Sequence, residues 1–407
     1  MAKEREIVYE SLIEILENNQ YSHIIEKDVL DKFDYLDKSK KAYIKRMIEG
    51  TIELLPAIDE VIDSFAKTKV KKQKALIRTV LRMGTYEILM MDSSPDYAVV
   101  SELVTFVKKH GFVNLAPFVN GILRNISKNK SSIKIEAQNT FPEWIKNLLL
   151  KAYSEDTVDA IIHSSVEEHP VSIRVRNELK DYAGLTRHPL LEYAYIVEKG
   201  KALKDIEGYA EGDFIVQDVS SMMVVEKSGI KEGDIVLDVC AAPGGKSIHA
   251  HDCGGRVTSR DVSDRKINLI RQNLERCHIT DVKTQVWDAA SFDEQFEESV
   301  DVLIADVPCS GLGVLAKKTD IKLKLKESDI DSLVKLQWDI VSTVYKYVKV
   351  GKTLMYSTCT LNPAENCEMV KKIVNELPFE LVEERQFIQG IDDTDGFYYA
   401  KLKRTRR

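Results

Sequence analysis

The chain has 407 residues, 44% apolar and 30% charged, enough for two or three domains that each bury a core. With 58 basic and 65 acidic side chains its net charge is −7, so charge alone does not advertise a nucleic-acid binder. No apolar run approaches the ~20 residues of a membrane span, and the opening Met1-Ala2-Lys3-Glu4-Arg5-Glu6 lacks the apolar stretch of a secretory signal, so a cytoplasmic protein is expected.

The first segment, about 1 to 128, reads as helix after helix. Ile7, Val8, Leu12, Ile15 and Leu16 follow helical spacing, and Tyr43, Met47, Ile48 and Ile52 continue it. Ala75 to Met91 is the most apolar stretch. Pro95 breaks the chain, Val99 to Lys109 forms another helix stopped by Gly111, and a last helix runs through Phe118 to Ile126. An all-α bundle is expected. The polar run Ser127 to Ser132 is read as a linker. The basic clusters Lys67–Lys74, Lys317–Lys326 and Lys401–Arg407 are read as solvated faces.

From about 129 to 225, helices at Trp144–Tyr153 and Glu155–Val166 precede three short strands at Val171–Val175, Tyr193–Val197 and Phe214–Val216, a small α+β subdomain. Arg174 and Arg176 on the first strand fit either RNA phosphates or exposed ion pairs.

From about 226 onward the pattern is α/β. Ile235 to Val239 reads as a buried parallel strand, and Cys240-Ala241-Ala242-Pro243-Gly244-Gly245-Lys246 as a glycine turn opening a helix. Such a turn lets a ligand approach the main chain and places helix-start amides near an anionic group. Gly-x-Gly-x-x-Gly is absent, which argues against a nicotinamide dehydrogenase, and the leading glycine of a P-loop is missing. Four further strands are expected to end at Asp261, Asp288, Asp306 and Cys359, with helices Asp264–Cys277 and Ser328–Tyr347 between them. In an open α/β sheet these ends face one crevice. Asp261 suits ribose hydroxyls and Asp288 an adenine amino group, with Asp264 capping the following helix.

All six cysteines, Cys240, Cys253, Cys277, Cys309, Cys359 and Cys367, lie in the C-terminal half without Cys-x-x-Cys spacing, so reduced thiols and no metal are expected. Cys309, in Asp306-Val307-Pro308-Cys309-Ser310-Gly311, sits on a loop, and Cys359 follows a strand. Two thiols at strand ends beside an acid point to chemistry. The other cysteine side chains read as structural. Asn362, Pro363 and Glu365 fit an N-cap, a first helical residue and a capping-box acid.

Leu81-Arg82-Met83-Gly84-Thr85-Tyr86-Glu87-Ile88-Leu89, Ser101-Glu102-Leu103-Val104 and Phe118-Val119-Asn120-Gly121-Ile122-Leu123 resemble the NusB antitermination family, which implies an RNA-facing bundle. Asp238 to Lys246, Asp306 to Gly311 and Ser357-Thr358-Cys359 resemble the RNA cytosine-5 methyltransferases that use S-adenosylmethionine, and Asp395-Gly396-Phe397-Tyr398-Tyr399-Ala400-Lys401 is similar to their closing strand. The fusion resembles the RsmB (Sun, Fmu) family of bacterial 16S rRNA methyltransferases. Two departures stand out, Arg174-Val175-Arg176 where the family often has Arg-Val-Asn, and Val307 where Ala is commoner.

The resemblance implies an all-α NusB-like bundle (1–128), linker helices with a small α+β RNA-binding subdomain (129–225), and a Rossmann-like α/β methyltransferase domain (226–407). It implies S-adenosylmethionine held by Cys240 to Lys246, Asp261, Asp288 and Asp306. Cys359 would add to carbon 6 of cytosine, Asp306 would bind the base edge, and Cys309 would assist proton loss and release. The expected partner is 16S rRNA or a small-subunit assembly intermediate, with a monomeric enzyme and no obligatory protein partner. An S-adenosylmethionine-dependent transferase acting on tRNA, another rRNA or another base, or an antitermination-type RNA binder with an inactive transferase domain, are the alternatives.

Overall fold

The computed structural model describes residues 3–92, 94–167, 169–176 and 182–406, so Met1, Ala2 and Arg407 of the segments discussed above lie outside the described residues. The chain divides into two compact units, Met1–Asn147 with Leu315–Lys324, and Leu148–Val314 with Leu325–Arg407. Among the described residues, no helix is long and apolar enough to cross a membrane.

Among its described residues the first unit is helical, with seven main helices at Lys3–Leu16, Ser22–Lys32, Lys38–Glu53, Leu55–Phe65, Ala75–Met90, Asp96–Lys109 and Ala116–Lys128. Ala75–Met90 is central because its apolar stripe is broad: Ile77, Val80, Leu81, Met83, Tyr86 and Ile88 are all buried. Gly84 admits its neighbours closely, since a Cβ there would lie 2.6 Å from a Leu103 methyl. The buried Arg5 holds Glu87 at 2.6 Å and Glu102 at 2.7 Å, tying three helices together. The expected linker is instead regular. The last helix continues to Lys128 and a 3-10 turn covers Lys130–Ser132, because polar side chains are compatible with an exposed helix end.

The run Lys317–Lys326 departs from the solvated-face expectation. Leu315–Lys324 packs within the first unit, where Asp320 accepts the Ser22 amide at 3.0 Å and pairs with Lys324. Lys322 is 1% exposed and its ammonium has no hydrogen-bond partner. Burial drives its pKa down to about 8, against the opposing pull of Glu53.

In the second unit, β1 (Ser172–Val175), β2 (Leu185–Arg187), β3 (Ala194–Val197) and β4 (Phe214–Val216) form an antiparallel sheet in the order β2-β3-β1-β4. β2 was not evident in the sequence. Arg174 and Arg176 take the ion-pair alternative, but not an exposed one. Both bind Asp252, at 2.7 and 2.9 Å, and the Arg174 side chain is 3% exposed. Neither guanidinium is held out towards solvent for phosphates.

The larger sheet contains β5 (Ile235–Asp238), β6 (Arg256–Asp261), β7 (Lys283–Val286), β8 (Val300–Asp306), β9 (Val348–Thr358), β10 (Phe379–Phe387) and β11 (Phe397–Arg404). Its order is β10-β11-β9-β8-β5-β6-β7, with five parallel strands and an antiparallel β10–β11 edge. Strand alternation divides the apolar side chains between two faces. Leu237, Leu303, Leu354 and Tyr356 join one core, and Val236, Val302, Ile304 and Met355 the other. From β5 the chain winds outward to β6 and β7, then crosses back to β8 on the other side. That reversal opens a crevice at the carboxyl ends of β5 and β8. β10 carries too many charged residues to read as a strand; it forms because β11 offers it an edge.

Candidate active site

The glycine turn after β5 is built as the spacing predicts. Gly244 has φ +107°, a left-handed conformation suited to glycine, and the helix Gly245–Asp252 starts beside it. The Ala242–Pro243 peptide is cis. Asp238 is fully buried, accepts the Ser247 hydroxyl at 2.8 Å, and has one carboxylate oxygen without a partner. Burial pushes its pKa up to about 7. Cys240 is buried enough that its thiol is pushed well up.

The acids at the strand ends also serve the protein itself. One Asp261 oxygen accepts the Ala242 amide at 3.0 Å and the other the Val262 amide at 2.7 Å, while Lys266 approaches at 3.0 Å. A carboxylate has about four acceptor positions, so capacity remains for ribose hydroxyls. Ser263, not Asp264, caps the following helix by accepting from Lys266. The shorter serine side chain precedes the helix, whereas Asp264 is its first residue. Asp288 lies beyond β7 and accepts the Ala290 amide at 3.0 Å, closing a local turn.

Lys246 turns away from any phosphate-type role. Its ammonium donates to Asp306 at 2.6 Å and lies 5.2 Å from the Phe397 ring centre. The other Asp306 oxygen accepts the Ser357 hydroxyl at 2.9 Å, from its register partner on β9. Asp306 is thus held by both sides of the crevice, with its side chain 29% exposed.

Cys309 and Cys359 follow the ends of neighbouring strands β8 and β9, and their sulfurs are 3.4 Å apart. The contact with Cys359, reinforced by burial and by the negative charge of Glu365, pushes the Cys309 thiol well up. Gly313 donates its amide to the Cys359 carbonyl at 3.0 Å and accepts from the Gly396 amide at 2.8 Å. A Cβ on Gly313 would collide with the Gly396 carbonyl, so the closing motif Asp395–Lys401 braces the loop that carries Cys309. Cys253, Cys277 and Cys367 lie outside this pair, and none of the six cysteines forms a disulfide.

Two residues of the crevice escaped sequence reasoning. Gln217 is 6% exposed, neither polar atom of its amide has a partner, and the amide lies beside Gly245. Leaving such a group unsatisfied costs about 1–3 kcal/mol, so a polar ligand at the start of the Gly245 helix would relieve it. The open glycine turn, the helix-start amides and this orphaned amide fit the amino-acid end of S-adenosylmethionine. No local signal marks Gln217. Glu365 was visible, but as a helix cap. Asn362 does cap, accepting from Ala364, whereas the Glu365 carboxylate reaches beyond its own turn to the Cys309 loop.

The comparisons with known proteins agree with this arrangement. The profile of the 16S rRNA methyltransferase RsmB/F family matches residues 228–403, and that of the NusB family residues 2–128. The probable ribosomal RNA small subunit methyltransferase B of Bacillus subtilis is 31% identical over 98% of both chains. The ribosomal RNA small subunit methyltransferase B of Serratia proteamaculans is 29% identical over 89% of this chain and 90% of its own. Among solved structures, PH0851 superposes with a TM-score of 0.82 at 22% identity, covering 98% of this chain and 97% of that one. NSun6 from Pyrococcus horikoshii, solved with SFG, gives 0.60 at 18% identity over 66% of this chain and 99% of its own. With a relative above 30% identity matched end to end, and a family profile spanning the crevice just described, the chain belongs to the RsmB/F family of S-adenosylmethionine-dependent 16S rRNA methyltransferases, with a NusB-family domain ahead of the catalytic core.

Proposed function

We propose that the enzyme methylates carbon 5 of a cytosine in 16S rRNA through a transient bond between Cys359 and carbon 6. The observation that carries this reading is the pair of thiols 3.4 Å apart on adjacent strand ends, with Asp306 at the end of the strand leading to Cys309. Carbon 5 of cytosine is a poor nucleophile, and a thiolate adding at carbon 6 makes it reactive. The contact with Cys359 and burial disfavour a thiolate at Cys309, which accords with the nucleophile role that the family resemblance gives to Cys359. Asp306 accepts from the amino group of the base and from N3 once that nitrogen takes up a proton, and Lys246 adds a positive charge beside that edge, stabilising the charge that develops. Bound S-adenosylmethionine supplies the sulfonium methyl group that carbon 5 takes up. With Cys359 bonded to carbon 6 its sulfur no longer opposes ionisation of Cys309, whose thiolate takes the carbon 5 proton while the electrons of the carbon 6–sulfur bond return to the Cys359 sulfur.

The cofactor would be held by the turn Cys240, Ala241, Ala242, Pro243, Gly244, Gly245 and Lys246, with Asp261 on the ribose, Asp288 on the adenine and Asp306 near the transferred group. Residues 1–128 would face RNA as the NusB-like domain, 129–225 would form the RNA-binding subdomain, and 226–407 the catalytic domain. A monomeric cytoplasmic enzyme acting on rRNA or a small-subunit assembly intermediate fits these assignments. An acidic chain should bind RNA weakly outside its specific contacts, with strong salt dependence.

The test is methyl transfer from labelled S-adenosylmethionine to unmodified 16S rRNA, with tRNA and DNA as controls and the product identified by mass. The expected product is 5-methylcytosine in 16S rRNA alone. Cys359→Ala should abolish turnover, and Cys309→Ala should accumulate a protein–RNA adduct resistant to denaturant. Near-normal turnover by Cys359→Ala would overturn the covalent assignment.

A further inference from the structure

We infer that Glu365 is a positioning residue whose carboxylate ties the Cys309 loop to the Cys359 loop and thereby sets the spacing of the two thiols. Its role deepens the cytosine-5 reading above and rests on it for its catalytic meaning. Glu365 is completely buried. One oxygen accepts the Ser310 amide at 2.8 Å and the Gln337 side-chain amide at 2.9 Å. The other accepts the Ser310 hydroxyl at 2.5 Å and the Asn362 side-chain amide at 3.0 Å.

These four bonds reach across the crevice in a defined way. Ser310 directly follows Cys309, and the same Gln337 amide group donates to the Pro308 carbonyl at 2.9 Å. The residues flanking Cys309 on both sides are therefore fastened to one carboxylate or to its neighbour. On the other side, Thr360 directly follows Cys359 and shares a 2.6 Å hydroxyl contact with Ser310, while Asn362 lies two residues further on. The Tyr356 hydroxyl, on the strand that ends before Cys359, donates to the Glu365 carbonyl at 2.6 Å. The hydrogen bonds converging on the carboxylate come from amide and hydroxyl donors, with no Lys or Arg among them.

A buried acid needed only for helix capping would bond the start of its own helix. This one bonds the side chain of its own N-cap, Asn362, but also donors on the Cys309 loop and a distant helix, so its removal releases the loops from each other besides loosening one helix start. Reacting groups must be held within a fraction of an ångström, and loops alone rarely achieve that. The same carboxylate disfavours a negative charge on Cys309, which works in the same direction as the assignment of the nucleophile to Cys359.

The experiment uses the full chain and reads the thiol spacing directly. Diamide takes one hydrogen from each thiol onto its nitrogen–nitrogen double bond, and the two sulfurs join. The rate of the Cys309–Cys359 cross-link is followed by mass mapping, with Cys309→Ser as the control that removes it. Glu365→Gln should slow this cross-link at least tenfold and lower kcat for methyl transfer at least tenfold, with KM for RNA and affinity for S-adenosylmethionine within twofold. Glu365→Asp should recover part of both rates. Unchanged cross-linking in Glu365→Gln would overturn the proposal, even if methyl transfer proves to have a different product. Should Glu365→Gln lose cofactor binding altogether, Gln337→Ala decides instead: a several-fold slower cross-link in a chain that still binds the cofactor supports the clamp, and an unchanged rate overturns it. Because the cross-link needs neither RNA nor methyl transfer, failure of the clamp and failure of the cytosine-5 reading give different results.

Discussion

Glu365 and Lys322 are both buried charges, one in each unit of the chain, and they are treated in opposite ways. Around Glu365 every acceptor position meets a donor, drawn from Ser310, Gln337 and Asn362. Lys322 is buried 5.5 Å from the Phe141 ring centre, with its ammonium unbonded and Glu53 opposing its loss of charge. A satisfied buried charge fixes geometry because each bond is directional, whereas an unsatisfied one chiefly carries a desolvation penalty. The difference accords with the proposed role of the crevice, in which two sulfurs are held at a set spacing.

Substitutions sharpen or break this contrast. The largest effect is expected from Glu365→Leu, which strands the Ser310, Gln337 and Asn362 donors and should destabilise the second unit by about 3–5 kcal/mol. Denaturant unfolding followed by a probe in that unit measures it, and a cost below about 1 kcal/mol would remove the distinction.

An intermediate effect is expected at Asp238, a buried acid that is only half satisfied. Its folded pKa is raised from an ordinary 3.8 to about 7, so the folded state holds the proton that the unfolded state has lost. The contribution is present below the unfolded value and disappears as pH rises through the folded one. The wild type should therefore lose stability relative to Asp238→Asn between about pH 4 and pH 7. Parallel melting curves without that divergence would place Asp238 in a more polar setting than its burial implies.

The smallest effect should come from Lys322→Met, which replaces an unbonded ammonium by an apolar side chain of similar length. Stability should be unchanged or rise by about 0–2 kcal/mol. A loss of more than about 1 kcal/mol would show that the pull of Glu53 outweighs the desolvation of Lys322.

Much of the crevice was legible because strands and turns leave local traces. The five parallel strands, the glycine turn and the placement of Asp306, Cys309 and Cys359 at strand ends follow from apolar runs punctuated by Gly, Pro and polar residues. Most of the helical bundle was legible from apolar spacing; the helix Ser22–Lys32, the last boundary and the inclusion of Leu315–Lys324 were not. The strand Phe379–Phe387 was not, because its charged residues are tolerated only at an edge against Phe397–Arg404.

By itself the sequence determined the chemistry available at each strand end, since residue type and local turn signals are properties of short stretches. Tertiary structure alone decided how those groups are shared. It turned Lys246 onto Asp306, paired Arg174 and Arg176 with Asp252, buried Lys322 in the first unit and sent Glu365 across to the Cys309 loop. The paired residues lie 55 to 78 positions apart along the chain and the burial of Lys322 is set by packing, and no local propensity encodes such a choice.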